Sequence, residues 1–215
     1  MDLNFNKCKF MRFSRRKLIP ANYSLGGYQL EPVNVFQDLG ILLDAKLSFV
    51  PHINMAINKD RGVLDFIKRW AKEFTDPYVT KQLYTSLVRP ILEYGSIIWD
   101  PYYNIYIDRI ESSQKQFLLF CLRGMQWNPV NLPTYHMRLA LIKLPTLKSR
   151  RTMLNISFVF NVINGRVRSQ FLLNNISINV PQRLTRHYQP LCITLYRTNY
   201  ANADPYRRIC SNFND

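Results

Sequence analysis

Acidic residues are missing from a long interval of this chain. Between Glu111 and Asp204 lie 92 residues with twelve Lys or Arg and neither Asp nor Glu, in a chain of 215 with 14 acids in all. Arg123, Arg150, Arg151, Arg166, Arg168, Arg183 and Arg186 therefore have no acid nearby in sequence to neutralise them. The formal net charge is +15 and the pI about 9.9, an excess that draws polyanions, nucleic acid first among them. Cysteine is also scarce. Cys8, Cys121, Cys192 and Cys210 form no C-x-x-C pair, and His52, His136 and His187 are scattered, which excludes the usual zinc spacings. Unpaired cysteines of this kind fit reduced thiols inside a cell. Uninterrupted apolar runs of the roughly 18 residues needed to span a membrane are lacking, and no signal-peptide pattern is present. What the chain does have is 47% hydrophobic content, enough to bury a core as one domain or two small ones.

The run FQDLGILLDAKLSF, residues 36–49, carries two carboxylates, Asp38 and Asp44. Paired carboxylates do metal or acid–base chemistry only when they converge on one centre. Read as an extended strand, Val35, Leu39, Ile41 and Leu43 share one face, and Asp38, Leu42 and Asp44 the other. The two aspartates are then about 20 Å apart along the strand, too far to share a metal. Asp38 ending an approach loop and Asp44 opening a turn at Ala45-Lys46 explain them better.

Along the rest of the chain the pattern changes once. KCKFMRF (7–13) is a short strand. YSLGGYQL (23–30) is a two-residue hairpin turning at Gly26-Gly27, and 33–43 adds a further strand, giving a small antiparallel sheet of three or four strands over about residues 5–49. After Pro51 the period is helical. Ile53, Ile57, Leu64 and Ile67 predict a helix over about 51–73 with Lys59, Arg61, Lys68, Arg69 and Lys72 on its polar side. Thr75-Asp76-Pro77 starts the next helix, which Pro90 kinks near Ser86 and Trp99-Asp100-Pro101 ends. Another helix runs to about Arg123, and LKSRRTMLNISFVFNVINGR forms the last clear one, closed by Gly165. The fold class expected is α+β, a small antiparallel sheet followed by a mainly helical region. The segments are 1–50, 51–125 and 126–215, the last basic and unassigned beyond Gln170.

Five runs in order carry a resemblance: N-x-x-K-C-x-x-M-x-F (Asn4 to Phe13), DLGILLD-x-x-LSF-x-x-HI (Asp38 to Ile53), LYTSLVRPILEYGSIIW-x-P (Leu83 to Pro101), IESSQKQFL (Ile110 to Leu118) and L-P-T-L-x-x-RR (Leu144 to Arg151). Together they resemble the end of the reverse transcriptase of non-LTR retrotransposons, the jockey-like and CR1-like elements in particular. The resemblance implies a palm edge, a thumb-like helical region and a basic C-terminal region. It also implies a parent RNA-directed DNA polymerase that uses Mg2+, acting inside the cell as a ribonucleoprotein in nucleus or cytoplasm. The family's metal-binding aspartates lie on earlier palm motifs, one of them an F/Y-x-D-D turn that is nowhere in this sequence. The chain alone is therefore expected to lack catalytic residues, metal ligands and activity, and to need a preceding polymerase portion.

On the same resemblance, Lys7 is an accessory residue near the incoming nucleotide of an intact parent, against the plainer alternative of a solvated strand-end lysine. Leu39 and Gly40 match the palm segment that supports the primer end, where a glycine lets a backbone approach closely. Lys68, Arg69 and Lys72 are expected to touch phosphates of RNA, RNA–DNA hybrid or DNA without reading bases. Arg166 and Arg168 are expected to do the same from the acid-free stretch. Arg150 and Arg151 either bind phosphate as a pair at a helix N-terminus or bridge to carbonyls at a helix junction. Trp70, Tyr84, Tyr94 and Trp99 are expected in the core. Two other functions are compatible with the sequence: a stand-alone nucleic-acid-binding remnant, and a helical protein-interaction module without enzymatic role.

Overall fold

A computed structural model describes residues 4, 8–14, 21–71, 76–128, 131–181, 183, 188–193, 197–198 and 204–214. The class is α+β, and the chain forms two compact units, Met1–Ala56 and Ile57–Asp215. The segments 51–125 and 126–215 of the sequence division fall, from Ile57 on, in one of these units.

Among the described residues of the first unit the strands form not one sheet but three separate pairs. Strand β1 (Lys9–Phe10) runs parallel to β4 (Glu31–Pro32), and β2 (Ser24–Leu25) turns antiparallel into β3 (Tyr28–Gln29). The β2–β3 turn uses Gly26 (φ 58°) and Gly27 (φ 84°), the backbone geometry that made the Gly-Gly signal legible. The strand expected over 33–43 instead folds back on itself, as β5 (Val35–Asp38) and β6 (Ile41–Asp44) around Leu39 and Gly40. Here β5 stays exposed along its whole length, while Ile41 and Asp44 of β6 are buried.

Helix α1 (Val50–Trp70) begins in the first unit and continues into the second. Its buried stripe is Ile53, Ile57, Leu64, Ile67 and Ala71, so that a small alanine rather than the bulky Trp70 completes the period. Asp76 caps α2 (Pro77–Leu83) by accepting the Tyr78 N–H. A π-helical turn, Tyr84–Val88, then leads to α3 (Arg89–Glu93). The cause is Pro90, which has no N–H to offer and would press its ring on the Ser86 carbonyl. The helix widens, the Arg89 N–H reaches back to the Tyr84 carbonyl, and the Ser86 hydroxyl donates to Gln82 O at 2.5 Å. Gly95 (φ 62°) breaks the continuous helix expected up to Trp99 and starts α4 (Ser96–Trp99).

Helix α5 (Asn104–Gly124) is the central element of the second unit's larger core, where Phe117, Leu118 and Cys121 pack with Leu64, Ile67, Tyr84 and Val88. Tyr84 stacks on Phe117 with ring centroids 4.1 Å apart. Helix α6 (Tyr135–Ile142), unforeseen in the sequence, adds Leu139 and Ile142; Thr134 caps it by accepting the Met137 N–H. Helix α7 (Leu147–Ile163) ends at Asn164 with Gly165 at φ 68°. After α8 (Gln170–Asn175), an Ile178–Leu191 bridge and the final helix α9 (Pro205–Asn214) close a second core of Val159, Leu191, Ile209 and Cys210. The Asn214 side chain pairs with both backbone groups of Leu191, at 3.0 and 2.8 Å.

Candidate nucleic-acid interface

The two aspartates of the 36–49 run, Asp38 and Asp44, do not form a site, though for a different reason from the one expected. In the β5–β6 hairpin Asp38 faces Ile41, and Asp44 faces Val35. Three strand positions, about 10 Å, separate them, and an odd offset turns their side chains to opposite faces. Asp44 serves as turn chemistry. Its carboxylate accepts from Lys46 N at 3.2 Å, Phe49 N at 2.8 Å and Ser48 Oγ at 3.1 Å. Below it His52, 3% exposed, accepts the Leu42 N–H at Nδ1 (3.2 Å), and burial lowers its pKa. Among the described residues no group of three or more His, Cys, Asp and Glu is arranged to hold a metal ion.

Leu39 and Gly40 form the hairpin tip, with φ of 44° and 85°. A leucine in the left-handed region carries a backbone cost of order 1 kcal/mol, and this one leaves 82% of its surface exposed. Lys7 and Lys72 lie outside the described residues.

The cations fall into two groups. Arg150 and Arg151, adjacent on α7, face acids. Arg150 meets Glu93 through Nε–Oε1 and Nη2–Oε2, both 2.9 Å, and these bonds raise its pKa. Arg151 is 1% exposed and reaches Asp100 Oδ1 from Nε at 2.5 Å. The helix-junction alternative thus describes them better than phosphate binding, with one amendment: their partners are carboxylates. The carbonyl bridging at the junction comes from Arg208 on α9, bonded to Asp100 O (2.8 Å) and Ile97 O (2.7 Å). Nothing local in the sequence signals that contact, since 108 positions separate Arg208 from Asp100.

The second group faces solvent. Lys59, Arg61 and Arg69 are exposed on α1, while Lys68 is half-buried and pairs with Asp65 at 3.3 Å. Arg166 and Arg168 are exposed beyond α7, Arg166 lying over the Phe160 ring at 5.9 Å. The aromatic expectation splits. Tyr84 and Trp99 are buried, at 0% and 1%, but Tyr94 and Trp70 are 58% and 71% exposed. Trp70 lies outside the α1 stripe that Ala71 completes, and Phe66 stands one turn before it, with ring centroids 6.0 Å apart. The signal for this is position around the helix: at about 100° per residue Trp70 lies about 100° and Phe66 about 140° from the centre of the stripe, so both turn outward.

Acid burial reinforces the imbalance. From Ile57 to Asp215 there are 22 Lys or Arg against 10 Asp or Glu. Among the described acids of this unit Asp60 and Glu111 are buried, and the half-buried Glu93 and Asp100 are held in ion pairs. Asp60 is wholly buried with neither carboxylate oxygen hydrogen-bonded, and burial pushes its pKa up to about 6. Glu111 accepts from Leu147 N at 3.1 Å and from the Tyr135 hydroxyl.

No protein-family model matches the chain, and no solved structure matches it. Over 136 residues it is 28% identical to the uncharacterized protein B0403.1 of Caenorhabditis elegans, a stretch covering 61% of this chain and 65% of that protein. The chain thus spans less than two thirds of the length of the relative it matches.

Proposed function

We propose that this chain is the closing portion of a non-LTR retrotransposon reverse transcriptase, made of palm edge, thumb-like helices and basic C-terminal region. Its work is to hold RNA, RNA–DNA hybrid or DNA by the phosphates, inside the cell, for a polymerase portion whose catalytic aspartates it lacks. The five ordered runs support the parentage. The binding role is carried by one observation: the second unit has more than two cations for every acid, and among its described acids Asp60 and Glu111 are buried while Glu93 and Asp100 are held in ion pairs. The cations left outside are scattered over helix faces, an arrangement suited to sequence-independent backbone contact.

The test is a titration of the full chain on labelled RNA, RNA–DNA hybrid and duplex DNA at several salt concentrations. Log K is expected to fall linearly with log salt, by about 0.9 per phosphate contacted on B-DNA and about 0.7 on single strands. Sequence should matter little, and no template-dependent incorporation should occur with any divalent metal. A salt-independent constant, or polymerase activity in the pure chain, overturns the reading. A protein-interaction role has its own supporting feature, the exposed apolar group Tyr94, Ile98, Tyr103 and Ile105 around α4 and the start of α5. It would show as salt-insensitive association with no affinity for nucleic acid.

A further inference from the structure

We propose that the outer face of α1 is a stacking platform for single-stranded nucleic acid, with Trp70 and Phe66 each receiving a base and Arg69 and Lys59 the flanking phosphates. This rests on the nucleic-acid reading above and specifies which form of the polymer this face takes.

Exposure is the first ground. Of the three tryptophans, Trp99 is 1% exposed, Trp127 39% and Trp70 71%. A helix in water normally turns such a ring inward, because aromatic burial is among the largest single gains in folding. Here the ring stands out beside Phe66, itself 48% exposed, so two π faces one helical turn apart are offered to solvent on one face. The second ground is the charge around them. Lys59 and Arg69 are exposed on the same side of the helix as the two rings, and among the described residues neither meets a carboxylate within 4.0 Å; Asp65 turns to Lys68. Apolar rings bordered by unneutralised cations are complementary to a polymer of anionic backbone and flat bases, and not to an uncharged apolar partner. The third ground is Gly62. It lies two turns before Arg69 on the same line of the helix, and a Cβ there would meet nothing within 4 Å. The middle of the face is therefore bare backbone, over which a phosphate chain can run close.

The geometry also selects the form of nucleic acid. In a duplex the base faces are stacked on one another, and only a strand with unpaired bases can present them to a protein ring. The Phe66 and Trp70 centroids are 6.0 Å apart with planes inclined at 46°. Stacked nucleotides rise 3.4 Å per residue, so this pair suits an extended strand with its bases splayed.

The experiment uses the full chain and its variants Trp70→Ala, Trp70→Tyr and Arg69→Gln, with a single-stranded RNA 12-mer and a blunt RNA duplex of the same length as probes. Tryptophan emission should be quenched by the single strand and not by the duplex, and the quenching should vanish in Trp70→Tyr. Trp70→Ala should weaken single-strand binding about tenfold and duplex binding less than twofold. Trp70→Tyr should restore most of that loss, since a tyrosine still stacks. Arg69→Gln should weaken both probes and remove about one contact from both salt slopes. Trp70 is too exposed for its loss to unfold the chain. Equal effects of Trp70→Ala on both probes, or none on either, overturn the platform while leaving nucleic-acid binding intact. Absence of binding to both probes instead overturns the parent reading. A wild-type dimer that Trp70→Ala turns into a monomer would show a second copy on this face, which also overturns the platform.

Discussion

Arg150 and Glu93 form a two-pronged pair, guanidinium against carboxylate with both contacts at 2.9 Å, that ties α7 to α3. Arg89 approaches the same carboxylate at 3.5 Å, so one acid holds two cations. Glu93 is 12% exposed at its side chain and Arg150 33%. Arg150→Ala is expected to cost about 1 kcal/mol in urea unfolding, because a bidentate geometry is favourable but solvent still screens the arginine. Glu93→Gln should cost somewhat more, about 1–2 kcal/mol, since it leaves two guanidiniums without their anion. For nucleic acid the expectation is the reverse of that for Arg69: Arg150→Ala leaves the salt slope unchanged. A slope reduced by a full contact would mean that the arginine leaves Glu93 for phosphate.

The neighbouring pair is buried more deeply and should respond more strongly. Arg151 is 1% exposed at its side chain and Asp100 13%. Removing one partner of a buried pair strands the other, at a cost of about 3–5 kcal/mol. Arg151→Met should fall in that range, and Arg151→Lys should recover little, because an ammonium cannot reproduce the planar fork. Asp100→Asn combined with Arg151→Met should be less damaging than the sum of the two single changes, as measured by a double-mutant cycle in denaturant. Strict additivity would remove the pair from the account of how α7 docks.

These two pairs show where the sequence stops being readable. The turn at Gly26-Gly27, the cap at Asp76, the stop at Gly165 and the apolar stripe of α1 are local, decided by backbone freedom and a 3.6-residue period within a few positions. The consequence of Pro90 was legible too, though as a kink near Ser86 rather than as a π turn over Tyr84–Val88. Helix α6 was not legible because its eight residues make only about two turns, too few for a 3.6-residue period to stand out. The strand over 33–43 failed at Leu39, a residue type that seldom adopts positive φ. As for the site, charge excess could be counted in the sequence, whereas its distribution could not. Arg69 and Arg150 look alike as letters, and only partners 57 residues away separate the solvated cation from the bonded one.

Asp60 makes a prediction about pH. It points from α1 into the core, wholly buried, with neither Oδ atom at hydrogen-bond geometry. Ser113 on α5 stands beside it, and Arg61 and Lys68 favour its charge, while Asp65 opposes it; loss of hydration outweighs all of these and raises its pKa to about 6. Tyr84 feels the same carboxylate, which adds to the desolvation that raises its own pKa. In the unfolded chain an aspartate titrates near 3.9, so the folded state binds this proton the more tightly. Its contribution is therefore fully present below about pH 4, declines between about pH 4 and 6, and is gone above the folded pKa. A difference of that size corresponds to about 3 kcal/mol. Asp60→Asn keeps the shape and removes the ionisation. The variant is expected to be more stable than the parent at pH 7 by up to about 3 kcal/mol, and the advantage should shrink to near zero by pH 4. Urea unfolding of both proteins from pH 4 to 7.5 gives the difference directly. A constant difference across that range would mean that Asp60 keeps its charge in the core, and a variant less stable at pH 7 would mean that the carboxylate is satisfied there by a cation.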